Sequence, residues 1–259
     1  MEMVTSTVVI LFALCVVAGL YSSVGHGGAS GYLAVLSLTI YASEDPAWLK
    51  QHAWSLNLLV AGLAFFAYNR SGFFNWKLTG SFVVASIPAA VIGGLLKVDH
   101  NIYDILLSMT LVFAAWRLLK IKNGEEESVF VNPPPHYISA SVGAVIGFLS
   151  GIIGVGGGIF LSPIILLFRW ADPKTTAGVA AAFIWVNSAA GLVGNSISDQ
   201  LMLEYSVLIP FACAVFVGGV VGSKFGSDVF SQKSVRRILV TVLLLAALKR
   251  IVELVNYLV

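Results

Sequence analysis

The sequence predicts an all-helical, polytopic membrane protein built from two inverted repeats of about five helical segments each. Three observations predict this class. The composition is strongly apolar, the apolar segments are arranged as five, a polar linker and five more, and a glycine-rich stretch occurs once in each half. At these glycine-rich loops we expect the helices to break or to re-enter the membrane.

The composition excludes a large soluble domain. Of the 259 residues, 58% are hydrophobic and only 11% are charged, and the mean hydropathy is +0.91. A soluble domain has about 25% charged residues, so the predicted surroundings are a lipid bilayer. A net charge of +2 gives no reason to expect a nucleic-acid partner. No metal-ligand, nucleotide-binding or nucleophile motif occurs, so we expect no metal, no cofactor and no enzymatic activity.

The apolar segments define the domain organisation. They cover residues 4–21, 29–42, 48–68, 76–97 and 102–119 in the first half, and 137–153, 158–170, 175–195, 203–225 and 235–257 in the second. A charged stretch that ends in three prolines separates the halves and is typical of a solvated connector. The prediction is a first transmembrane repeat at 1–119, a cytoplasmic linker at 120–136 and a second, inverted repeat at 137–259.

The glycine-rich stretches, 22–31 and 150–159, are each followed by a segment too short to cross a membrane. Segments 29–42 and 158–170 have about thirteen or fourteen residues, whereas a hydrocarbon core about 30 Å thick needs roughly 20. Whether these two segments cross or re-enter stays open. Non-helical backbone at that depth must be buried in protein or line a watery cavity, which favours a binding site.

The two halves resemble copies of one another at an offset of about 129 residues. Pairs at or near this offset are Gly25 and Gly154, Gly27-Gly28 and Gly156-Gly157, Asp45-Pro46 and Asp172-Pro173, and Asn57 and Asn187. A single match between glycines is easily produced by chance. Several matches in the same order indicate a duplication.

Lysine and arginine set the predicted orientation. Eleven of them lie in the loops 68–77, 117–135, 169–175 and 224–237, and four lie on the opposite side. Because cytoplasmic loops are enriched in these residues, both termini are predicted to be periplasmic. Each half contains an odd number of crossings whether or not the short segments cross, so the second half is inverted.

Each glycine-rich stretch comes directly before a predicted helix N-terminus. Such a terminus has unpaired N–H groups and a partial positive charge, and glycine lets a ligand approach the backbone closely. The pattern is typical of an anion site. The candidate substrate-binding residues are Ser22, Ser23, Gly25, His26, Gly27, Gly28 and Ser30 at the first break, Ser150, Gly154, Gly156 and Gly157 at the second, and Asn57 and Asn187 within apolar helices.

The side chains among these candidates have two interpretations each. A serine in a membrane can bind ligand or donate back to its own helix, and an asparagine can bind ligand or tie helices together. His26 is either a group that titrates during transport or a neutral histidine bonded within a loop. No Asp, Glu, Lys or Arg lies deep in a predicted helix, which argues against a carboxylate relay.

The two glycine-rich stretches resemble the TauE/SafE sulfite exporter family, also called the TSUP family. The resemblance rests on Gly19-x-x-Ser22-Ser23-x-Gly25-x-Gly27-Gly28, on Gly147-x-x-Ser150-Gly151-x-x-Gly154-x-Gly156-Gly157-Gly158 with Pro163, and on the Asp-Pro loops and asparagine-bearing helices. It covers essentially the whole chain. It implies movement of small sulfur-containing anions, such as sulfite or organosulfonates, across a bacterial or archaeal inner membrane.

The predicted function is therefore a secondary transporter, and more specifically an exporter, that works by alternating access at a midplane site between the repeats. The anion, the direction, proton coupling and a homodimer stay open. The alternative is an ion channel, because the stretch 23–27 resembles a potassium filter strand. A filter needs several equivalent loops around one axis, however, and an inverted half does not supply a parallel one.

Overall fold

The computed structural model describes residues 2–36, 38–96, 132–199 and 201–231, and the separate positions 109, 233–235, 237–238 and 241. Every regular element in these ranges is helical. The α-helices are α1 (Glu2–Ser22), α2 (Ala29–Leu36), α3 (Pro46–Arg70), α4 (Trp76–Leu95), α5 (His136–Ile153), α6 (Gly158–Leu167), α7 (Pro173–Ile197) and α8 (Tyr205–Lys224). A short 3-10 helix, Ile40–Ser43, follows α2, and a π-helical turn, Phe225–Val229, extends α8.

Eight of the ten predicted segments correspond to these helices. The predicted segments 102–119 and 235–257, and most of the linker 120–136, lie outside the described residues. The segment 29–42 is shorter as a helix than predicted, because α2 ends at Leu36. Thr39 donates its hydroxyl to the Leu36 carbonyl at 2.8 Å and accepts the Tyr41 N–H at 3.4 Å, so it ends one helix and caps the next.

Four of the described helical stretches are long and apolar enough to cross a membrane: Trp76–Leu95, His136–Ile153, Pro173–Ile197 and Tyr205–Val229. By contrast, α6 has ten residues and a length of about 15 Å, half of a bilayer core. The predicted all-helical membrane class is thus confirmed for the described part of the chain. The number of segments per half and the inversion of the second half stay predictions.

The two longest helices, α3 and α7, begin in the same way. Asp45 accepts the Ala47 N–H at 2.7 Å with its carboxylate, and Asp172 accepts the Lys174 N–H at 3.0 Å. A proline follows each aspartate at the first helical position, where its missing N–H costs no hydrogen bond. The recurring Asp-Pro pairs of the sequence are therefore helix N-caps.

Helices from the two halves pack against each other in matching pairs. α1 packs on α8 and α5 packs on α4. Gly222 on α8 lies directly against the Gly19 carbonyl of α1, and Gly93 on α4 lies directly against the Phe148 carbonyl of α5. The members of these two contacts are related by the same offset of 129 residues. Small residues permit this close backbone approach.

α3 and α7 pack on each other in the interior of the bundle. A Cβ atom at Gly191 of α7 would lie 2.7 Å from the Trp54 ring of α3, so the glycine makes room for the indole. α7 is the most buried of the four membrane-length stretches. α3 contributes several polar side chains to the interior, including the fully buried Gln51, His52 and Asn57.

Candidate functional site

The first break lies between the end of α1 at Ser22 and the start of α2 at Ala29. Gly25 and Gly28 have φ values of +74° and +97°, which only glycine adopts without strain. Ser22 donates its hydroxyl to the Gly19 carbonyl at 3.3 Å, and Ser23 donates to the Leu20 carbonyl at 2.7 Å. Both hydroxyls thus donate to carbonyls of their own helix, which is the second of the two interpretations given above for a serine in a membrane.

The second break lies between the end of α5 at Ile153 and the start of α6 at Gly158. Gly154, Gly156 and Gly157 all have positive φ values, of +89°, +74° and +84°. Gly157 caps α6 without any side chain to accept the first N–H groups of the helix. Within the described residues, the N–H groups of Gly156, Gly157 and Gly158 have no hydrogen-bond partner.

Asn57 brings the two breaks together. Its side-chain oxygen accepts the Ala29 N–H at 2.9 Å, at the start of α2. A Cβ atom at Gly27 would collide with this oxygen, and a Cβ atom at Gly156 would lie 2.8 Å from the side-chain nitrogen. The two glycine stretches therefore lie on either side of one carboxamide, near the middle of α3. Its nitrogen also donates to the Ser188 hydroxyl of α7 at 3.4 Å.

His26 links the first break to α6 of the other half. Its Nδ1 donates to the Val24 carbonyl at 2.9 Å, and its Nε2 lies 3.5 Å from the Ser162 hydroxyl. The ring is buried, and both of these partners are uncharged. Ser30, the last candidate at this break, shares a hydrogen bond with the Tyr21 hydroxyl at 3.0 Å.

Asn187 does not occupy the place that its sequence pairing with Asn57 suggests. α3 and α7 both have 25 residues and begin 127 positions apart, which makes Ile184 the counterpart of Asn57. A Cβ atom at Gly156 would indeed lie 2.8 Å from Ile184 Cγ2. Asn187 instead donates to the Ser86 hydroxyl at 3.0 Å and to its own helix. The candidates therefore split into a group around Asn57 and an asparagine directed towards α4.

Because of this difference, one hydrogen bond of the first break has no equivalent at the second break. In the first half Asn57 accepts the N–H of Ala29. In the second half the corresponding residue is Ile184, which has no acceptor, and the equivalent N–H of Gly158 has no partner among the described residues. Ser150, one turn before Gly154, also has a buried hydroxyl without a partner in the described part of the chain. Donors are thus available at the second break.

Two residues next to the breaks do not figure among the sequence candidates. Ser188 contacts both Asn57 and the second break, since a Cβ atom at Gly156 would lie 3.1 Å from its hydroxyl. Lys50 lies against Gly154 and is buried, although the sequence places every charged residue near a helix end or in a loop. Both residues belong to apolar segments of the sequence. The apolar pattern predicts that these segments are helices, but it does not predict which side chains face the breaks.

The helical bundle and its two paired helix breaks define a membrane protein of the transporter class. Residues 10–250 match the family described as "Sulfite exporter TauE/SafE". The match covers most of the chain, and the chain therefore belongs to this family, as the glycine-rich stretches predict.

Curated relatives support the same class. The chain is 32% identical over 247 residues to "Probable membrane transporter protein y4hK" of Sinorhizobium fredii, covering 95% of this chain and 98% of the relative. It is 28% identical over 273 residues to "Probable membrane transporter protein YunE" of Bacillus subtilis, covering 95% and 97%. "Probable membrane transporter protein MJ0441" of Methanocaldococcus jannaschii is 26% identical over 178 residues, covering 65% and 66%. No solved structure matches the chain.

Proposed function

We propose that the protein is a secondary transporter that exports a small sulfur-containing oxyanion, such as sulfite or an organosulfonate, across the inner membrane. The observation that carries this proposal is the meeting of the two helix breaks at Asn57. The N–H groups of Gly156 and Gly157, which have no partner among the described residues, lie on one side of Asn57, and Gly27 lies on the other.

The chemistry of the breaks fits an oxyanion. An oxyanion is an acceptor, so in leaving water it needs hydrogen-bond donors to replace its hydration shell. Backbone N–H groups at the start of α6 are such donors, and the helix dipole adds a partial positive charge there. Glycine at positions 156 and 157 adds no side chain of its own over these N–H groups. A cation would find mostly donors at this place and would be bound poorly.

Alternating access is proposed from the packing of the halves. Matching contacts join α1 to α8 and α5 to α4 at positions related by 129 residues, as two inverted repeats would produce. In transporters of this build, one repeat or bundle rocks against another around a fixed site near the bilayer midplane. We propose that 1–119 and 137–259 are these repeats and that 120–136 is a cytoplasmic linker.

The membrane potential is sufficient to drive export. An exported anion leaves a cytoplasm that is electrically negative relative to the outside. A potential of 100 mV supplies about 2.3 kcal/mol for each elementary charge. For a monovalent anion this free energy supports a concentration gradient of roughly fifty-fold. No coupled ion is needed for a gradient of that size.

The test is a binding screen on the purified protein followed by flux measurements. Calorimetric titration with sulfite, sulfate, thiosulfate, sulfoacetate and taurine should reveal saturable binding of at least one of these compounds. Counterflow of the same compound in proteoliposomes should then saturate with concentration. Failure of all five to bind would contradict the proposal. Unitary currents in planar bilayers would favour the channel alternative, which the transporter family does not support.

A further inference from the structure

Lys50 lies in the second turn of α3 with only 2% of its surface exposed. Its aliphatic stem packs on the second break, where a Cβ atom at Gly154 would lie 2.9 Å from Lys50 Cγ and 3.2 Å from Lys50 Cβ. The ammonium lies 5.9 Å from the centroid of the Trp54 ring, which belongs to the next turn of the same helix. The side chain thus lies along the interior of the bundle, beside the second break.

The ammonium of Lys50 makes no hydrogen bond or ion pair with any residue that the structure describes. The Asp45 carboxylate caps α3 by accepting the Ala47 N–H and interacts electrostatically with Lys50, without forming an ion pair with it. The indole of Trp54 is a second donor without an acceptor, because its buried Nε1 has no hydrogen-bond partner among the described residues. Lysine and indole nitrogens are donors only. A buried cation and a buried donor without an acceptor are costly, unless a ligand supplies the acceptor.

Lys174 shows that the fold can satisfy a buried lysine. It is also buried, near the start of α7. Its Nζ donates to the Ser227 carbonyl at 2.8 Å and lies 4.7 Å from the Phe73 ring. Both lysines are thus buried, but their hydrogen bonds differ. Lys174 has an acceptor from the protein, and Lys50 has none in the described part of the chain.

Among the described residues, a lysine packs on the second break and none packs on the first. The residue 127 positions after Lys50, at the offset that relates α3 to α7, is Ala177. Ala177 packs on Gly25 of the first break, as Lys50 packs on Gly154 of the second. The N–H groups of Gly156 and Gly157, at the break with the lysine, have no partner among the described residues. At the first break the N–H groups of Gly27 and Gly28 have none either, but Asn57 accepts the N–H of Ala29. Charge and open donors therefore coincide at the second break.

We propose that Lys50 supplies the positive charge that binds the anion at the second break, with the Trp54 N–H as an additional donor. This inference rests on the proposed function and deepens it by naming the residue that selects for negative charge. The anion would lie between the Lys50 ammonium and the N-terminus of α6. A bound anion would add a second negative charge near the lysine, beside the Asp45 carboxylate.

The test compares Lys50→Met with Lys174→Met, by calorimetric titration with sulfite and with sulfoacetate and by thermal unfolding in detergent. Methionine retains an unbranched stem and removes the charge. Lys50→Met should weaken anion binding by about ten- to a hundred-fold, the size expected for a hydrogen bond to a charged group. Without ligand it should melt no lower than wild type, because the ammonium has no hydrogen-bond partner to lose in the part of the chain that the structure describes. Lys174→Met should melt lower and keep its affinity within about three-fold.

The outcomes separate this inference from the function on which it rests. If wild type binds the anions and Lys50→Met binds them equally well, Lys50 is not part of the site and the proposed function still stands. If Lys50→Met melts well below wild type without ligand, the lysine has a structural role and the inference is overturned. If wild type binds none of the five compounds of the screen, the proposed function fails and the inference fails with it.

Discussion

The side-chain oxygen of Asn57 accepts a hydrogen bond from the backbone N–H of Ala29 at a distance of 2.9 Å. Ala29 is the first residue of α2, and Asn57 lies near the middle of α3. The carboxamide therefore replaces the helical carbonyl that the first N–H of α2 lacks. The same group contacts Gly156 of the second break. The Asn57 side chain thus caps the start of α2 and also lies against the break that precedes α6.

We expect Asn57→Leu to destabilise the protein by about 1–3 kcal/mol, because the Ala29 N–H is left buried without an acceptor. Leucine has a similar shape, so the loss of the hydrogen bond is the main change. The measurement is thermal unfolding of the purified protein in detergent. Anion affinity should fall as well, since the position of the first break relative to the second depends on this bond.

Asn195→Leu is the matched control for this substitution. Asn195 is completely buried in α7, and both polar atoms of its carboxamide have no partner among the described residues. Its replacement removes a buried polar group without breaking a bond. The melting temperature should therefore stay the same or rise. An equal loss of stability in the two variants would show that the Ala29 bond contributes nothing particular.

The helix breaks could be predicted from the sequence because their cause is local. Glycines at positions 25, 28, 154, 156 and 157 adopt positive φ values, which the glycine-rich stretches indicate directly. The Asp-Pro pairs likewise predict helix starts, which Asp45 and Asp172 confirm as caps. The matching positions of the two breaks in the two halves also predict a site between the repeats, and the breaks do meet at Asn57.

The partners of the interior side chains could not be predicted in this way. The breaks are 129 positions apart but α3 and α7 begin 127 positions apart, so pairing Asn57 with Asn187 misplaces the second residue. A shift of a few positions turns a helical side chain to another face, since each residue rotates by about 100°. Lys50 was missed for a related reason. Its burial depends on Gly154, about a hundred residues later in the chain.

For His26 the geometry favours the interpretation as a neutral loop histidine. Nδ1 donates to the Val24 carbonyl and Nε2 lies near the Ser162 hydroxyl. We expect His26→Gln to lower the flux, because a flexible amide holds the break less well than the ring. The pH dependence of the flux should keep its shape. A flattened profile in the folded variant, measured in proteoliposomes between pH 5.5 and 8 (a range of about one unit or more on each side of the ordinary histidine pKa), would instead assign His26 to proton coupling.

The predicted orientation can be tested by labelling of single cysteines in intact cells. The native Cys15 and Cys213 are first replaced by alanine. Glu126→Cys, in the predicted cytoplasmic linker, should not react with a membrane-impermeant maleimide from outside, because the loops on its side contain eleven of the fifteen Lys and Arg residues. Leu201→Cys, at an exposed position between α7 and α8, should react. The reverse pattern would place the termini in the cytoplasm.

The glycine at position 156 is the most direct test of a ligand site between the breaks. An alanine there would place its Cβ atom 2.8 Å from the side-chain nitrogen of Asn57 and 3.1 Å from the Ser188 hydroxyl. It would also be strained by the backbone φ of +74°, at a cost of about 1–2 kcal/mol. We expect Gly156→Ala to weaken anion binding at least about tenfold, in calorimetric titration with sulfite and sulfoacetate, because the methyl group covers the N–H donors.

Gly72→Ala is a control that separates the effect of backbone strain from the steric effect of a methyl group between the two breaks. Gly72 has nearly the same φ, +79°, but lies in a turn where an added Cβ atom would meet nothing within 4 Å. Both alanines therefore carry the same backbone strain, and both variants should lose a similar part of their stability for that reason. Only Gly156→Ala adds a group between the two breaks. Gly72→Ala should bind the anion like wild type, and equal affinity in the two variants would show that no ligand lies against Gly156.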